Sequence, residues 1–386
     1  MSWGIAAVLV LFTLAAFLIS WLTGFLVRAI APRLGLVDKP GGRKLHPVPM
    51  PTGGGIAIWA GVVVPLAAGF VMALVLEGSF GKYWGFLAFI NELLPEDCRR
   101  HLSGFIVQSP RMWTVLMGGL LLGLLGLWDD RVGLDWRLRL AIHFVVAAIM
   151  VALGWRASLF LGGSLIPAVL SAIWIVALVN AFNMIDNMDG LAAGVGIIAS
   201  LILAAVMLLA PEPGSGEPQL FVGGFFLVLA GALGGFLIHN WPTARLFMGD
   251  AGSYFVGFTM ALLTLAATFA GDSHPPHAVM APLCALAIPL YDMTTVVLIR
   301  ICSGRSPFEG DRSHFSHRLV ELGLSPLQAV LTIWLATASC GLGALLLHQV
   351  NPVGAILILL IVLANLVLVR ILESAGQRQR ELPPGG

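Results

Sequence analysis

The sequence predicts an all-α, polytopic integral membrane protein with about 11 transmembrane helices. Hydrophobic residues make up 58% of the 386 residues and charged residues only 11%, and the mean hydropathy is +0.94. Soluble chains carry about 25% charged residues, so one large soluble domain is excluded, and the high hydrophobicity excludes a disordered chain. The 45 glycines and 11 tryptophans fit close helix packing and interfacial anchoring in a bilayer.

The remaining composition excludes several other classes. The net charge of +1 gives no overall field that would attract nucleic acid. The four cysteines are scattered without a CxxC pair, which indicates inert thiols rather than a zinc site or a disulfide framework. No basic segment precedes the first apolar run, so we expect no cleaved signal peptide.

Apolar segments long enough to cross a membrane recur along the chain. A spanning helix needs about 20 such residues, and we predict spans at 4–30, 54–76, 112–128, 138–154, 164–181, 190–210, 219–239, 249–270, 278–300, 326–348 and 352–372. Residues 1–372 thus form one transmembrane domain. Residues 77–111 mix aromatic and charged residues, which predicts an external insertion with an interfacial helix. The polar, Pro/Gly-rich residues 373–386 are expected to form a disordered cytosolic tail.

Charge is distributed unequally between the two sides of the predicted bundle. Loops after odd-numbered spans, together with the C-terminal tail, hold sixteen of the 21 Lys and Arg residues. Cytoplasmic loops are rich in Lys and Arg, so these loops are predicted to face the cytoplasm, with the N-terminus outside and the C-terminus cytosolic. Thirteen of the 20 acidic residues lie on or near the same side. Acidic residues contribute little to topology, so their concentration there points to chemistry.

Two of the predicted cytosolic loops combine charge with turn residues. Residues 35–55 are rich in Gly and Pro and include Lys44 and His46. Such a loop can bind a phosphate through backbone N–H groups and cations, although a membrane-anchoring loop explains its basic residues equally well. Asp129 and Asp130 stand where the third span ends. Adjacent carboxylates repel each other unless a cation or proton lies between them, so this pair is a candidate cation site. The alternative interpretation is an ordinary solvated turn without a function.

The third loop carries a regular polar pattern. Four side chains recur every three residues, namely Asn180, Asn183, Asp186 and Asp189. On a helix this spacing places them on one face. The stripe begins at membrane depth, where ionisable groups are costly and usually functional. A satisfied hydrogen-bond network at a helix end is the alternative.

The fourth and fifth loops add a carboxylate and two histidines. Asp250 lies in a G-D-x-G-S turn that opens the eighth span, where small neighbours would let a ligand approach and where Asp is also a good helix N-cap. His314 and His317 are three residues apart, beside Arg312 and Arg318. Two histidines at this spacing could bind a metal, but the neighbouring arginines disfavour a second cation and favour the binding of an anion. The alternative interpretation is an ordinary positively charged cytosolic loop.

The combination of loops is more specific than any one of them. Carboxylate and amide oxygens suit Mg²⁺ or Mn²⁺ better than zinc. Basic residues opposite such a metal are the components of phosphoryl transfer, and in a membrane one substrate is expected to be a lipid phosphate. A cation-coupled transporter is the alternative from a different class. It fits less well, because the polar clusters lie on one side and no inverted repeat is visible.

These motifs resemble those of the polyprenyl-phosphate N-acetylhexosamine-1-phosphate transferases, in glycosyltransferase family 4. The matching pieces run from Asp38 to about Leu319 and include DD at 129–130, NxxNxxDxxDGLA at 180–192 and FMGDAGS at 247–253. The segments RKLHPVPMPTGGG and DRSHFSHRL are similar to the bacterial undecaprenyl-phosphate GlcNAc-1-phosphate branch. Phospho-MurNAc-pentapeptide translocases, the alternative within the superfamily, carry adjacent histidines that this chain lacks.

The resemblance implies a reaction and a location. N-acetylhexosamine-1-phosphate, with GlcNAc-1-phosphate as the first expectation, would pass from a UDP-sugar to undecaprenyl phosphate. UMP would leave, and the lipid-linked pyrophosphoryl sugar would initiate cell-envelope polysaccharide synthesis. The expected location is the bacterial inner (cytoplasmic) membrane, with the active site facing the cytoplasm. No nucleic-acid partner is implied, and a homodimer is compatible with the family.

The resemblance also implies roles for individual residues. Asp250, with Asn183, would bind Mg²⁺ or Mn²⁺, and Asp129 and Asp130 would orient or deprotonate the lipid phosphate. Direct in-line attack is expected, since phosphate monoesters have a second pKa of about 6 and need little help from a base. A covalent intermediate formed on Asp129 or Asp130 is the alternative. The other implied catalytic residues are Asp186, Asp189 and His314. The implied substrate-binding residues are Lys44, His46, Asn180, Asn183, Phe247 (stacking on uracil), Arg312 and His317.

Overall fold

The described chain is almost entirely helical, which confirms the predicted all-α membrane class. The computed structural model describes residues 1–38, 49–78, 94–157, 165–210, 216–267, 275–308 and 313–381. Its helices are α1 (Trp3–Ile30), α2 (Gly54–Glu77), α3 (Glu96–Arg100), α4 (Leu102–Val132), α5 (Trp136–Ala152), α6 (Leu165–Ile185), α7 (Leu191–Leu209), α8 (Leu220–Asn240), α9 (Gly249–Ala266), α10 (Ala281–Ala285), α11 (Ala287–Cys302), α12 (Phe315–Glu321), α13 (Pro326–Leu346) and α14 (Pro352–Glu381). Two short strands, β1 (Val37–Asp38) and β2 (Met50–Pro51), pair antiparallel.

Each of the 11 predicted spans coincides with a helix or a broken helix. Within the described residues, eight helices are long and apolar enough to cross a membrane, and the segment Pro276–Ala285 with α11, bent by 68°, would make a ninth. The other two, α5 and α9, have 17 and 18 residues. Their lengths along the helix axis are about 26–27 Å, slightly less than the thickness of the hydrocarbon core of a bilayer, about 30 Å. The number of crossings and their orientation therefore stay predictions.

Two helix boundaries differ from those expected. Helix α4 begins at Leu102, so the end of the predicted 77–111 insertion continues into the third span; Pro110 and Arg111 had interrupted its apolar pattern. Residues 79–93 of that insertion lie outside the described residues. Helix α14 continues to Glu381, into the predicted disordered tail. Gln, Arg and Glu are good helix formers, so a polar composition alone did not mark the end of this helix.

Helix α9 lies at the centre of the packing. It contacts α2, α4 and α6, and every residue from Ala251 to Thr264 is buried. A helix buried on all sides belongs to the interior of a bundle. Asp250 is in its first turn, so the core of the fold determines where this carboxylate lies.

Glycines allow two helices to approach the start of α9 closely. A Cβ atom on Gly126 of α4 would collide with the backbone nitrogen of Ala251, and one on Gly55 of α2 would collide with that of Gly252. A backbone atom cannot rotate aside as a flexible side chain can. The separation of α2, α4 and the Asp250 turn thus depends on the absence of these side chains.

We expect Gly126→Ala to lower the thermal stability of the purified protein. Overpacking a filled interior typically costs about 1–3 kcal/mol. Gly104→Ala in the same helix is the matched control, because a Cβ there meets nothing within 4 Å, and Ala improves helix propensity by about 1 kcal/mol. Thermal unfolding in detergent measures both variants. Equal melting temperatures would contradict the close contact between α4 and α9.

Candidate functional site

The first predicted cytosolic loop is joined to the fourth by main-chain hydrogen bonds. The Gly54 N–H donates to the Phe247 carbonyl at 2.9 Å, and the Gly55 N–H donates to the Met248 carbonyl at 3.0 Å. In return, the Phe247 N–H donates to the carbonyl of Pro51 at 2.9 Å. Strand β2 and the start of α2 therefore support the turn that carries Asp250.

The fifth loop contacts the second and the third. The Ser316 hydroxyl donates a short hydrogen bond to the Asn187 carboxamide oxygen. Phe308 stacks on Trp136, with ring centroids 3.8 Å apart and planes 6° from parallel. Together with the contacts around Asp250, these interactions bring all five predicted loops to one end of the bundle.

Asp129 lies at the end of α4 and both its carboxylate oxygens are engaged. Oδ1 accepts from the Leu134 N–H at 2.7 Å. Oδ2 pairs with Arg139 Nη1 at 2.6 Å and accepts from the Tyr254 hydroxyl at 3.3 Å. The same Nη1 is 3.6 Å from Asp250 Oδ2. Arg139 in the first turn of α5 therefore bridges two of the predicted site carboxylates.

Asp130 faces the start of α9. Its Oδ1 accepts from the Asp250 N–H at 3.1 Å, while Oδ2 is buried with no hydrogen-bond partner in the described part of the chain. Gly249, with φ of +71°, lies directly against this oxygen, and a Cβ there would collide with it. A buried carboxylate oxygen without a donor is costly and is well suited to a cation.

The polar stripe of α6 meets the Asp250 turn through Asn183. Its Nδ2 donates to Asp250 Oδ1 at 2.6 Å and is 3.1 Å from the Ser253 hydroxyl. The two residues predicted to bind a metal are therefore in direct contact. The site combines the end of α4, the end of α6 and the start of α9.

Asp186 and Asp189 occupy the turn after α6 and differ in their surroundings. Asp189 Oδ2 accepts from the Ala244 N–H at 2.9 Å, so this carboxylate ties the third loop to the fourth. Burial, together with the charges of Asp130 and Asp189, raises the pKa of Asp186 to about 8. A cation among these carboxylates would favour their charged forms.

Asn180 lies one turn before Asn183 in α6, and its side chain makes hydrogen bonds within the protein. Its Nδ2 donates to the Val176 carbonyl at 2.8 Å and is 3.3 Å from His143 Nδ1. The His143 ring in turn packs edge-on against Tyr254, at a centroid distance of 4.7 Å. These contacts support the inner wall of the site, and substrate binding by Asn180 stays a prediction.

The histidines of the fifth loop lie at the start of α12. His314 is buried, and its Nδ1 is 2.9 Å from Asp292 Oδ2 in α11. The rings of His314 and His317 are 6.4 Å apart. Through Ser316 this segment reaches Asn187, which adjoins Asp186.

Some predicted site residues cannot be placed against the others. Lys44, His46 and Arg312 lie outside the described residues. Phe247 is half-buried and its backbone holds the first loop, but the stacking of its ring on uracil stays a prediction.

Sequence reasoning missed three residues of the site. Arg139 was counted only as a basic residue of a loop, although it follows Asp129 by one tight turn. Tyr254 was read only as part of an apolar span. Asp292 lies inside the predicted ninth span, and neither its pattern nor the resemblance predicts a role for it. An acidic residue inside a membrane span needs a partner, so the position of Asp292 was the one signal in the sequence that could have indicated its contact.

The donor set fits Mg²⁺ or Mn²⁺. Asp130, whose Oδ2 has no partner among the described residues, contacts Asp250, which in turn contacts the Asn183 amide. Carboxylate and amide oxygens of this kind suit hard cations. Among the described residues, no group of three or more His, Cys, Asp or Glu side chains is arranged so that it could hold a metal ion. Mg²⁺ is commonly held by one or two carboxylates with water and substrate phosphates, so a partial protein shell is compatible with this ion.

Comparisons with known proteins agree with the motifs. A model of the family described as glycosyl transferase family 4 matches residues 112–268. The chain is 31% identical over 348 residues to a probable undecaprenyl-phosphate N-acetylglucosaminyl 1-phosphate transferase of Bacillus subtilis, covering 86% of this chain and 84% of that protein. It is 31% identical over 364 residues to a decaprenyl-phosphate N-acetylglucosaminephosphotransferase of Mycobacterium tuberculosis, with coverages of 89% and 83%. An undecaprenyl-phosphate alpha-N-acetylglucosaminyl 1-phosphate transferase of Escherichia coli is 29% identical over 341 residues, with coverages of 84% and 80%.

Proposed function

Because the chain belongs to glycosyl transferase family 4, we propose that it transfers GlcNAc-1-phosphate from UDP-GlcNAc to undecaprenyl phosphate. The names of its relatives support the acceptor and the transferred group. The observation that carries the proposal is the contact of Asp130 and Asn183 with Asp250, beside the Asp129–Arg139 pair. This cluster has the composition that phosphoryl transfer requires.

The proposed reaction exchanges one phosphoanhydride bond for another. An oxygen of the lipid phosphate attacks the phosphorus that carries the sugar, and a new P–O–P bond forms. The bond between that phosphorus and the bridging oxygen breaks, and UMP leaves with this oxygen. The attacking phosphate is already largely dianionic near neutral pH, so positioning matters more than proton removal.

The contacts suggest different roles for the two adjacent aspartates. Asp129 has both oxygens engaged by protein donors, so it holds Arg139 in place. Asp130 keeps one oxygen without a described partner, so it is the better candidate to face a ligand. Asp250 and Asn183 would hold Mg²⁺ or Mn²⁺, which would supply neutralising charge for the pyrophosphate.

Arg139→Gln should lower the melting temperature of the metal-free protein and increase the stabilisation that added Mg²⁺ produces. The substitution removes a charge-assisted hydrogen bond worth about 2 kcal/mol and leaves Asp129 and Asp250 without their shared cation. Arg137→Gln is the matched control, because Arg137 lies in the same helix turn but is exposed and packs over Trp136. Thermal unfolding with and without Mg²⁺ measures both, and identical Mg²⁺ responses would contradict the bridging role of Arg139.

We place the protein in the bacterial inner membrane with this site on the cytoplasmic side. The concentration of Lys and Arg in the loops that form the site supports this orientation. Family resemblance is compatible with a homodimer. A cysteine-accessibility experiment on Arg305→Cys, in the exposed turn after α11, tests the orientation: labelling in inverted vesicles but not in intact cells is expected.

A transfer assay tests the proposed function. Purified protein in detergent receives labelled UDP-GlcNAc, undecaprenyl phosphate and Mg²⁺, and the label is followed into the organic phase. We expect lipid-extractable label with UDP-GlcNAc. Product with UDP-MurNAc-pentapeptide alone would support the peptidoglycan alternative, and uptake into vesicles without lipid product would support a transporter.

A further inference from the structure

Asp292 is a buried acid in α11, remote in sequence from the carboxylates described above. Its side chain is almost fully enclosed, with 1% exposure. Oδ2 is 2.9 Å from His314 Nδ1, and Oδ1 accepts from the Phe315 N–H at 2.7 Å. One carboxylate thus binds both residues at which α12 begins.

This contact determines which ring nitrogen of His314 can meet a ligand. A carboxylate oxygen accepts hydrogen bonds, so Nδ1 carries the hydrogen and its N–H group donates to Asp292 Oδ2. Among the described residues none hydrogen-bonds to Nε2. The Asp292 contact therefore leaves Nε2 as the atom that His314 offers for binding.

The other side of the α12 start is bonded to the third loop, which carries Asp186. The Ser316 hydroxyl donates to the Asn187 carboxamide, next to Asp186. Only Phe315 separates Ser316 from His314, so both ends of this short segment are held, one by α11 and one by the third loop. The backbone that carries the His314 ring is therefore held on both sides, and the Ser316 contact brings it beside the loop of Asp186.

We infer that Asp292 is a positioning residue of the transfer reaction, which orients His314 so that Nε2 contacts a phosphate oxygen of the donor. The inference rests on the proposed function for the identity of that ligand. It extends the family resemblance, which assigned a role to His314 but none to Asp292.

A purely structural role would not require a carboxylate. A neutral acceptor could cap the Phe315 N–H, whereas burying a carboxylate is costly unless each oxygen is matched by a donor. Asp292 meets this condition through two different donors. One of them is the imidazole whose orientation matters for binding.

Asp292→Asn separates the two contacts. The amide has a similar shape but only one acceptor oxygen, so it cannot accept from both Phe315 and His314. If the oxygen keeps the Phe315 N–H, the amide nitrogen faces Nδ1, and the imidazole must take the opposite tautomer. We expect transfer to fall about 10- to 100-fold, the range found when the partner that orients a metal-bound histidine is removed.

A double-mutant cycle tests whether Asp292 acts through His314. The turnover number and KM for UDP-GlcNAc are measured for Asp292→Asn, His314→Ala and the double variant. We expect the double variant to match His314→Ala, since Asp292 has nothing to position once the ring is absent. Losses that multiply would show that Asp292 supports the fold alone, and would overturn the inference.

His314→Asn keeps the test decisive if Asp292→Asn fails to fold. Its amide nitrogen can replace Nδ1 as a donor to Asp292, but the variant has no Nε2. We expect wild-type thermal stability with transfer reduced at least as much as in His314→Ala. Wild-type transfer by His314→Asn would contradict a role for Nε2.

Thr295→Val is the matched control for the packing of α11 on α12. The Thr295 hydroxyl is 3.3 Å from Arg318 Nη2 and makes no hydrogen bond to His314. It should leave the transfer rate near that of wild type. A loss equal to that of Asp292→Asn would mean that any disturbance between these helices has the same effect, and would overturn the inference.

Thermal shifts with UDP-GlcNAc separate this inference from the proposed function. If wild-type protein binds UDP-GlcNAc but makes no lipid product, only the proposed transfer is contradicted. The double-mutant cycle can then be measured by the rise in melting temperature that UDP-GlcNAc produces, which still decides the role of Asp292. Wild-type protein that neither binds nor transfers would overturn both.

Discussion

Asp250→Asn is expected to reduce transfer by at least about a thousandfold. Asp250 contacts Asn183, Asp130 and Arg139 at the start of α9, so it lies where three helices meet. Charge stabilisation by a bound metal is worth several kcal/mol, and a loss of about 4 kcal/mol corresponds to a thousandfold change in rate. The initial rate of lipid-linked product formation measures this directly.

The substitution is chosen to preserve the fold. Asn has the shape of Asp and can accept one hydrogen bond from Asn183, and the Asp250 N–H still reaches Asp130. Asp135→Asn is the matched control, since Asp135 is an exposed acid in the same group of loops that caps α5 by accepting from the Arg137 N–H. Asn is an equally good cap, so the control should keep full activity.

A wild-type rate in Asp250→Asn would remove Asp250 from the active site. Loss of activity in both variants, with normal melting temperatures, would indicate sensitivity of the whole surface to charge and would equally contradict the assignment. Asp129→Ala is expected to be inactive as well, because Arg139 then loses its main partner.

Removal of divalent cations is expected to stop the reaction completely. EDTA in excess should abolish product formation, and Mg²⁺ or Mn²⁺ should restore it, because the carboxylate and amide oxygens of the linked residues Asp130, Asp250 and Asn183 suit hard cations. The donor's pyrophosphate would also lose its neutralising charge. The rate is measured after chelation and after titration with each metal.

The fold should survive the same treatment. The described core is apolar and surrounds α9, so chelation should change the melting temperature by only a few degrees. Turnover that persists in EDTA would contradict a metal-dependent mechanism. Unfolding in EDTA would instead indicate a structural metal.

Most of the architecture follows from the sequence for a simple physical reason. A membrane requires long apolar helices whose backbone groups are satisfied internally, and such runs are visible in the sequence. Helix ends were less predictable. Pro110 lies inside α4 where a break was expected, and α14 extends through polar residues that favour helix as much as coil.

The site was predictable where its motifs are local. Asn183 and Asp250 were paired by resemblance, and they are in contact. The pairing of Arg139 with Asp129 depends on how the turn at Gly133 folds back, which spacing does not determine. Asp292 and His314 are 22 residues apart across a loop, so their contact required the three-dimensional structure.

The nucleotide that leaves the donor tests the central claim most directly. Purified protein is incubated with UDP-GlcNAc, undecaprenyl phosphate and Mg²⁺, and the nucleotide and lipid products are identified by mass spectrometry. Sugar-1-phosphate transfer predicts UMP and a lipid carrying GlcNAc through two phosphates, both absent with Asp250→Asn. UDP with a lipid carrying a single phosphate, or equal product from Asp250→Asn, would contradict phosphoryl transfer at this carboxylate cluster.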